Sequence, residues 1–128
     1  LTDSEIVIQD TVDLTVVNEI SGFTLNKVFI NNIEDIFANI SGINDITNTD
    51  ITSSTIKVTD SVNLSNVESL DSFTNERVTL TLLSDNHENI QTIYDNPNLN
   101  FSFADSEVKI SENITKKQAE KTLENIQQ

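Results

Sequence analysis

The sequence predicts an α/β fold, a repeat solenoid of about five strand–helix half-repeats with a period of about fifty residues. The first observation is a near duplication: residues 6–27 return as residues 56–77, with seven of 22 positions identical. The second is composition, because Ile, Val and Thr make up about a third of the 128 residues and suit a pleated surface. The third is an apolar pattern that changes repeatedly from a period of two to a period of three.

Five alternating apolar segments mark the predicted strands. They begin at successive spacings of 22, 28, 22 and 30 residues, a short and long alternation that gives one half-repeat for each strand. These strand starts are Ile6, Val28, Ile56, Val78 and Val108. In each strand the apolar residues lie at every second position, so their side chains point to the same face of the sheet, and we expect that face to be buried.

Helices are predicted after the strands because the apolar spacing then becomes helical, as in Val17, Ile20 and Phe23 and in their counterparts fifty residues later. A hydroxyl residue followed three positions later by Glu or Gln has the spacing of a capping box. That pattern places helix starts at Ser65 and at Thr115, and Thr15 is the counterpart of Ser65.

The longer half-repeats follow the same plan. We expect Asn32 to cap a helix that Gly42 ends in a left-handed conformation. In the fourth half-repeat, Ser84 or Asp85 should cap a helix that the Asn96–Pro97 step terminates. A short strand is predicted within residues 98–104, where apolar and polar residues alternate, with a weaker counterpart at residues 50–54.

These elements form a single repeat domain over residues 1–128, with units at about 6–55 and 56–107 and a partial unit at 108–128. The last helix, Thr115–Gln128, is expected to be a terminal cap or a linker. The chain contains no Met and opens in the middle of a repeat pattern, so we expect it to be a piece of a longer chain.

The net charge of −14 argues against a nucleic-acid partner, which would require Lys and Arg to displace phosphate counterions. Binding to anionic membranes is disfavoured for the same reason, and no apolar run is long enough for membrane insertion. The chain has no Cys, which excludes disulfides and Cys-based metal or redox centres.

Carboxylates recur at the ends of three predicted strands, at Asp10, Asp60 and Glu112. Stacked carboxylates are a candidate metal site for Ca2+, which takes oxygen ligands. The alternative is that each side chain caps a turn by accepting backbone N–H groups. The intervening half-repeat has Asn32 at this place, which suits a cap better than a charged ligand set.

Catalytic chemistry has little support. His87 is the only histidine; it is a candidate metal ligand, but the favoured interpretation is an exposed residue in the first turn of a helix. No nucleophile-elbow motif accompanies it, and no pair of acids stands out among the 21. We therefore predict that the protein is not an enzyme and has no catalytic or cofactor-binding residues.

The block from Ile56 to Leu70 and its first copy resemble repeat regions of very large secreted bacterial proteins, such as RTX-type adhesins and surface-layer-like proteins. The resemblance implies an extracellular, non-enzymatic spacer, lattice or adhesin segment at the cell surface or in a filament. Its expected partners are other repeats, copies of itself, a glycan or a surface protein. The alternative is a recognition module that binds a glycan or protein through loops 44–54 and 95–100.

Overall fold

The computed structural model describes residues 4–112 and 115–126, in which strands alternate with helices. The strands are β1 Ile6–Val12, β2 Val28–Asp35, β3 Thr49–Asp50, β4 Thr55–Val62, β5 Val78–Asp85, β6 Phe101–Ser102 and β7 Glu107–Ile110. The helices are α1 Leu14–Gly22, α2 Phe37–Asn44, α3 Leu64–Phe73, α4 His87–Asp95 and α5 Lys116–Ile126. The predicted mixed α/β class is confirmed.

All the strands join one sheet, and the pairings seen among the described residues are parallel. β2 lies between β1 on one side and β3 with β4 on the other; β5 lies between β4 on one side and β6 with β7 on the other. Parallel neighbours need crossover connections, and the helices provide most of them. β1 is therefore the edge strand at one end of the sheet.

The register of the sheet repeats at fifty residues. Ile6 is paired with Val28 in the first unit, and Ile56 is paired with Val78 in the second. The β1–β2 register shifts between Ile8 and Thr11, and the β4–β5 register shifts fifty residues later in the same way. Asp10 and Asp60 lie at these two irregularities, where a carboxylate need not continue the buried face.

The core lies between one face of the sheet and the helices. In β4 the side chains of Ile56, Val58 and Val62 are buried, whereas the residues between them are exposed or half-buried. Val17 of α1 and Val67 of α3 are buried in the same cluster. Full burial of one such side chain stabilises the fold by about 1.5–3 kcal/mol.

Two of the predicted helix caps are wrong. Helices α1 and α3 begin earlier than Thr15 and Ser65, because Asp13 and Asn63 are the residues whose side chains accept the N–H of the third helical residue. Asp and Asn are at least as effective as Ser and Thr in this role. The capping box at Thr115 and Gln118 is confirmed, since each side chain accepts the backbone N–H of the other residue.

The helix predicted after Asn32 also starts later than expected. Strand β2 continues to Asp35 because its second half pairs with β4, so Asn32 is a strand residue and α2 begins at Phe37. Gly42 lies inside α2 and has no left-handed conformation. Tertiary pairing has overridden the local helical pattern here.

The fourth half-repeat matches the prediction more closely. Asn86, one residue beyond the predicted caps, caps α4, and the helix ends at Asp95 before the Asn96–Pro97 step. The short strand predicted at residues 98–104 is β6. The weaker strand predicted at residues 50–54 is largely wrong, since β3 ends at Asp50 and residues 51–54 form a turn. α5 confirms the last helix up to Ile126, while residues 127 and 128 lie outside the described residues.

Candidate functional site

Four carboxylates connect successive half-repeats, and we call them the carboxylate ladder: Asp35, Asp60, Asp85 and Glu112. Each accepts a hydrogen bond from the backbone N–H of the first residue of a helix in the preceding half-repeat. The donor–acceptor distances are 2.9 Å for Leu14 N to Asp35 Oδ2, 2.9 Å for Phe37 N to Asp60 Oδ1, 2.9 Å for Leu64 N to Asp85 Oδ2 and 2.8 Å for His87 N to Glu112 Oε1.

The parallel topology explains why the ladder forms. The carboxyl end of each strand lies beside the start of the neighbouring helix, where N–H groups lack intrahelical acceptors and the helix dipole is positive. A carboxylate at that end of the next strand satisfies one such group. Asp35, Asp60 and Asp85 follow one another at intervals of 25 residues, so the spacing matches one half-repeat.

Two members of the ladder also bind the start of the helix that follows them. Asp35 Oδ1 accepts the N–H of Ile36 at 2.7 Å and the side-chain amide of Asn39 at 3.0 Å. Asp85 Oδ1 makes the corresponding contacts with Asn86 and Asn89 at the same distances. Each of these aspartates therefore ties two successive helices to one strand.

Asp35 was not predicted from the sequence, and Asp85 was predicted only as a cap of the helix that follows it. The signal was present, because each Asp is followed four residues later by Asn and the two pairs are fifty residues apart. The predicted counterpart in the second half-repeat was Asn32. Its side chain instead accepts a hydrogen bond from the Thr55 hydroxyl at 2.6 Å, between two strands.

Hydrogen bonding stabilises the ionised form of two ladder carboxylates. Burial alone would raise the pKa of Asp85, but the backbone N–H groups of Leu64 and Asn86, together with the Asn89 amide, lower it below its ordinary value. The pKa of Glu112 is also lowered, first by the backbone N–H of His87 and then by its side chain.

The three residues predicted as a metal site have different surroundings. Asp60 and Glu112 accept the N–H groups of helix starts, which is the capping role predicted as the alternative, although the helix belongs to the preceding half-repeat. Asp10 is exposed in β1. Over residues 4–112 and 115–126, no group of three or more His, Asp or Glu residues is placed to hold a metal ion. Calcium binding by these carboxylates stays a prediction.

At the β1 end of the sheet, a carboxylate has the sequence position of a ladder member but not its hydrogen bond. Asp10 precedes Asp35 by 25 residues, but its carboxylate makes no hydrogen bond or ion pair within the part of the chain that the structure describes. Phe23 is 88% exposed, although its counterpart Phe73 stacks on Phe37 of α2 with ring centroids 6.5 Å apart. We call Asp10, Phe23 and the free edge of β1 the β1 face.

His87 is less isolated than the sequence suggested. Its side chain is 22% exposed, and Nδ1 pairs with Glu112 while Nε2 lies 3.4 Å from the amide of Gln118 in α5. A groove of about 360 Å³ between α4 and α5 is lined by these two helices, with Lys121 and Thr122 among its residues. These contacts fix α5 against α4, and they correct the expectation of an exposed helix residue.

The two predicted recognition loops differ in how much surface they offer. In loop 44–54, the Asn48 amide donates to the carbonyl groups of Ser21, Thr24 and Asn26 at 3.0–3.2 Å. Ile51 and Ser54 of the same loop are buried. Loop 95–100 is mostly exposed. The first loop is therefore held by internal contacts.

No family model matches this chain, and no curated protein or solved structure is significantly similar to it. None of the helices within residues 4–112 and 115–126 has the length and apolar character that crossing a bilayer requires.

Proposed function

We propose that the chain is a non-enzymatic structural segment, a solenoid of strand–helix half-repeats that serves as a spacer, lattice or adhesin repeat in an extracellular surface protein or filament. The observation that carries the proposal is the carboxylate ladder. One contact, between a carboxylate in or just after a strand and the start of the preceding helix, recurs four times along the molecule. A fold whose successive layers are joined by the same contact can be extended without a new kind of interface.

The ends of the sheet support an assembly role. Among the described residues β1 has neighbours on one side only, so its other edge presents backbone N–H and C=O groups that can pair with another strand. It is seven residues long and contains neither Pro nor Lys, which commonly protect such edges. Its Asp10 is the one charged side chain within the strand.

The net charge of −14 sets the conditions for assembly. Copies of such a chain repel each other at low ionic strength, and the repulsion weakens when salt screens it. Association should therefore increase with salt or with divalent cations, as expected for a protein that works in saline surroundings.

The alternative role in glycan or protein recognition has weaker support. It relies on loops 44–54 and 95–100, and the first of these is occupied by its contacts with the α1–β2 connection. A binding role would therefore depend mainly on loop 95–100. Deletion of that loop should abolish binding and leave the melting transition nearly unchanged.

The experiment is to measure the weight-average mass by light scattering as NaCl is raised from about 0.1 M to about 1 M, which shortens the Debye length from ~10 Å to ~3 Å. We expect the mass to rise with salt. A parallel series with CaCl2 at matched ionic strength separates screening from calcium binding. A mass that stays monomeric in both series, at every protein concentration, would contradict the assembly role.

A further inference from the structure

We propose that the β1 face binds the α5 end of a second copy of this chain, head to tail. In this contact Asp10 accepts the backbone N–H of Lys116, and Phe23 packs on the Lys116 side chain. The inference rests on the proposed assembly function and names the residues that would carry it.

The carboxylate ladder has an unmatched group at each of its two ends. Within the molecule, the first residues of α1, α2, α3 and α4 each donate their N–H to a carboxylate that lies in a later strand or, for Glu112, just after one. Two groups are left over at the ends of this series. Asp10 has the position of an acceptor, and the N–H of Lys116, the first residue of α5, has no acceptor within residues 4–112 and 115–126. A head-to-tail contact would match them.

The capping box of α5 leaves this donor available. Thr115 and Gln118 satisfy each other's backbone N–H groups, and Lys116 lies between them. Its side chain is 92% exposed, with a distant ion pair to Glu120 at 3.9 Å as its only charge contact among the described residues. Both the N–H and the ammonium group can therefore reach an incoming carboxylate.

The exposed ring of Phe23 has a packed counterpart in Phe73. Phe73, fifty residues later, stacks on Phe37, which is the residue whose N–H Asp60 accepts. The same first helical residue thus receives one carboxylate and one aromatic ring from the next unit. At the β1 face the corresponding pair is Asp10 and Phe23, and a lysine at the facing position would add a cation–π interaction to the ion pair.

The charge distribution favours this partner. Residues 4–26 contain four acids and no Lys or Arg, whereas four of the seven basic residues of the chain lie in the last twenty positions. The α5 end is therefore the least acidic part of an otherwise acidic molecule. Head-to-tail contact joins two different surfaces, so each added copy leaves a further surface for the next one, and the contact gives a filament when its rotation does not close a ring.

The test uses sedimentation equilibrium on the whole protein under the salt conditions that promote association. We expect Asp10→Ala, Phe23→Ser and Lys116→Pro each to weaken self-association at least about tenfold, the effect of losing about 1.4 kcal/mol at a contact. Proline removes the N–H of Lys116 and is well tolerated at the first position of a helix. Asp10→Asn retains an acceptor oxygen and should be impaired less than Asp10→Ala.

Asp71→Ala is the matched control, because Asp71 is an exposed acid of α3 and its loss changes the net charge equally. It should associate as well as, or better than, the unmodified chain. Circular dichroism and melting temperature should be unchanged in all variants, since the replaced groups make few contacts within the molecule.

A mixing experiment tests the direction of the contact. An Asp10→Ala copy keeps a functional α5 end, and a Lys116→Pro copy keeps a functional β1 face, so an equimolar mixture should form 1:1 dimers and stop. Association of the unmodified chain that these variants leave unchanged would overturn the inference while the assembly function stands. A chain that never associates would overturn both.

Discussion

The two fifty-residue units share a sequence pattern but differ in how completely they are covered. Ile56 is 2% exposed, whereas its counterpart Ile6 is only half-buried. Phe73 stacks on an aromatic ring of the preceding helix, but Phe23 stands in solvent at 88% exposure. Both units have the same order of strand, helix and strand, but they have different neighbours in the sheet.

This difference indicates that the strand and helix that precede a unit cover its first strand and its aromatic residue. The second unit follows β2 and α2, which cover its first strand and receive its aromatic residue. The first unit has no such neighbour among the described residues. Substitutions at equivalent positions of the two units should therefore change the free energy of unfolding by unequal amounts. Each pair of substitutions can be compared directly.

The largest expected inequality is between Ile56→Ala and Ile6→Ala. Ile56 lies in the core, so its truncation should reduce the free energy of unfolding by about 2–5 kcal/mol. Ile6 still contacts solvent, and its truncation should cost about 1 kcal/mol or less. Urea denaturation of both variants checks this. Equal losses would mean that the β1 edge is covered in solution.

A smaller inequality is expected for the aromatic pair. Phe73→Ala removes a half-buried ring and its stacking on Phe37, which should cost about 1–2 kcal/mol. Phe23→Ala should change the free energy of unfolding by less than about 0.5 kcal/mol, because the ring is exposed.

The measurement should be made on dilute, monomeric protein, so that contacts between copies do not contribute. If Phe23→Ala proves as damaging as Phe73→Ala under these conditions, then Phe23 packs within its own chain, and the comparison between the units fails.

Much of the fold was predictable because the apolar periodicity is strong. The starts of β1, β2, β5 and the other main strands were expected from alternating apolar residues. The similarity of residues 6–27 to residues 56–77 supported these predictions, because the same pattern occurs in both segments. Where the two segments keep the same apolar positions, as in Ile6 with Val28 and Ile56 with Val78, the strand registers are the same.

The errors are of two kinds. The caps of α1, α3 and α4 were misplaced by one or two residues within the local sequence, whereas the other errors lie where pairing between distant segments decides the outcome. Asn32 resembles a helix cap by local pattern, but β4 extends the strand around it. Asp35 and Asp85 cap helices more than twenty residues earlier in the chain, and no local rule connects an acid to a backbone group at that distance. Knowledge of the parallel strand order is needed before the ladder can be recognised.

The smallest effect we expect is a dependence of stability on pH that comes from Asp85. Its pKa is lower in the folded protein than the ordinary 3.8, because three N–H donors stabilise the carboxylate despite partial burial. A lowered folded pKa contributes stability above the unfolded value, and that contribution is lost as the pH falls through the folded pKa. The stability difference between the unmodified chain and Asp85→Asn should therefore stay nearly constant from neutrality until the pH approaches 3.8, and shrink as the pH falls below that value. Urea titrations at successive pH values measure it, with the exposed Asp71→Asn as control; a constant difference would show that the charge of Asp85 does not stabilise the ladder.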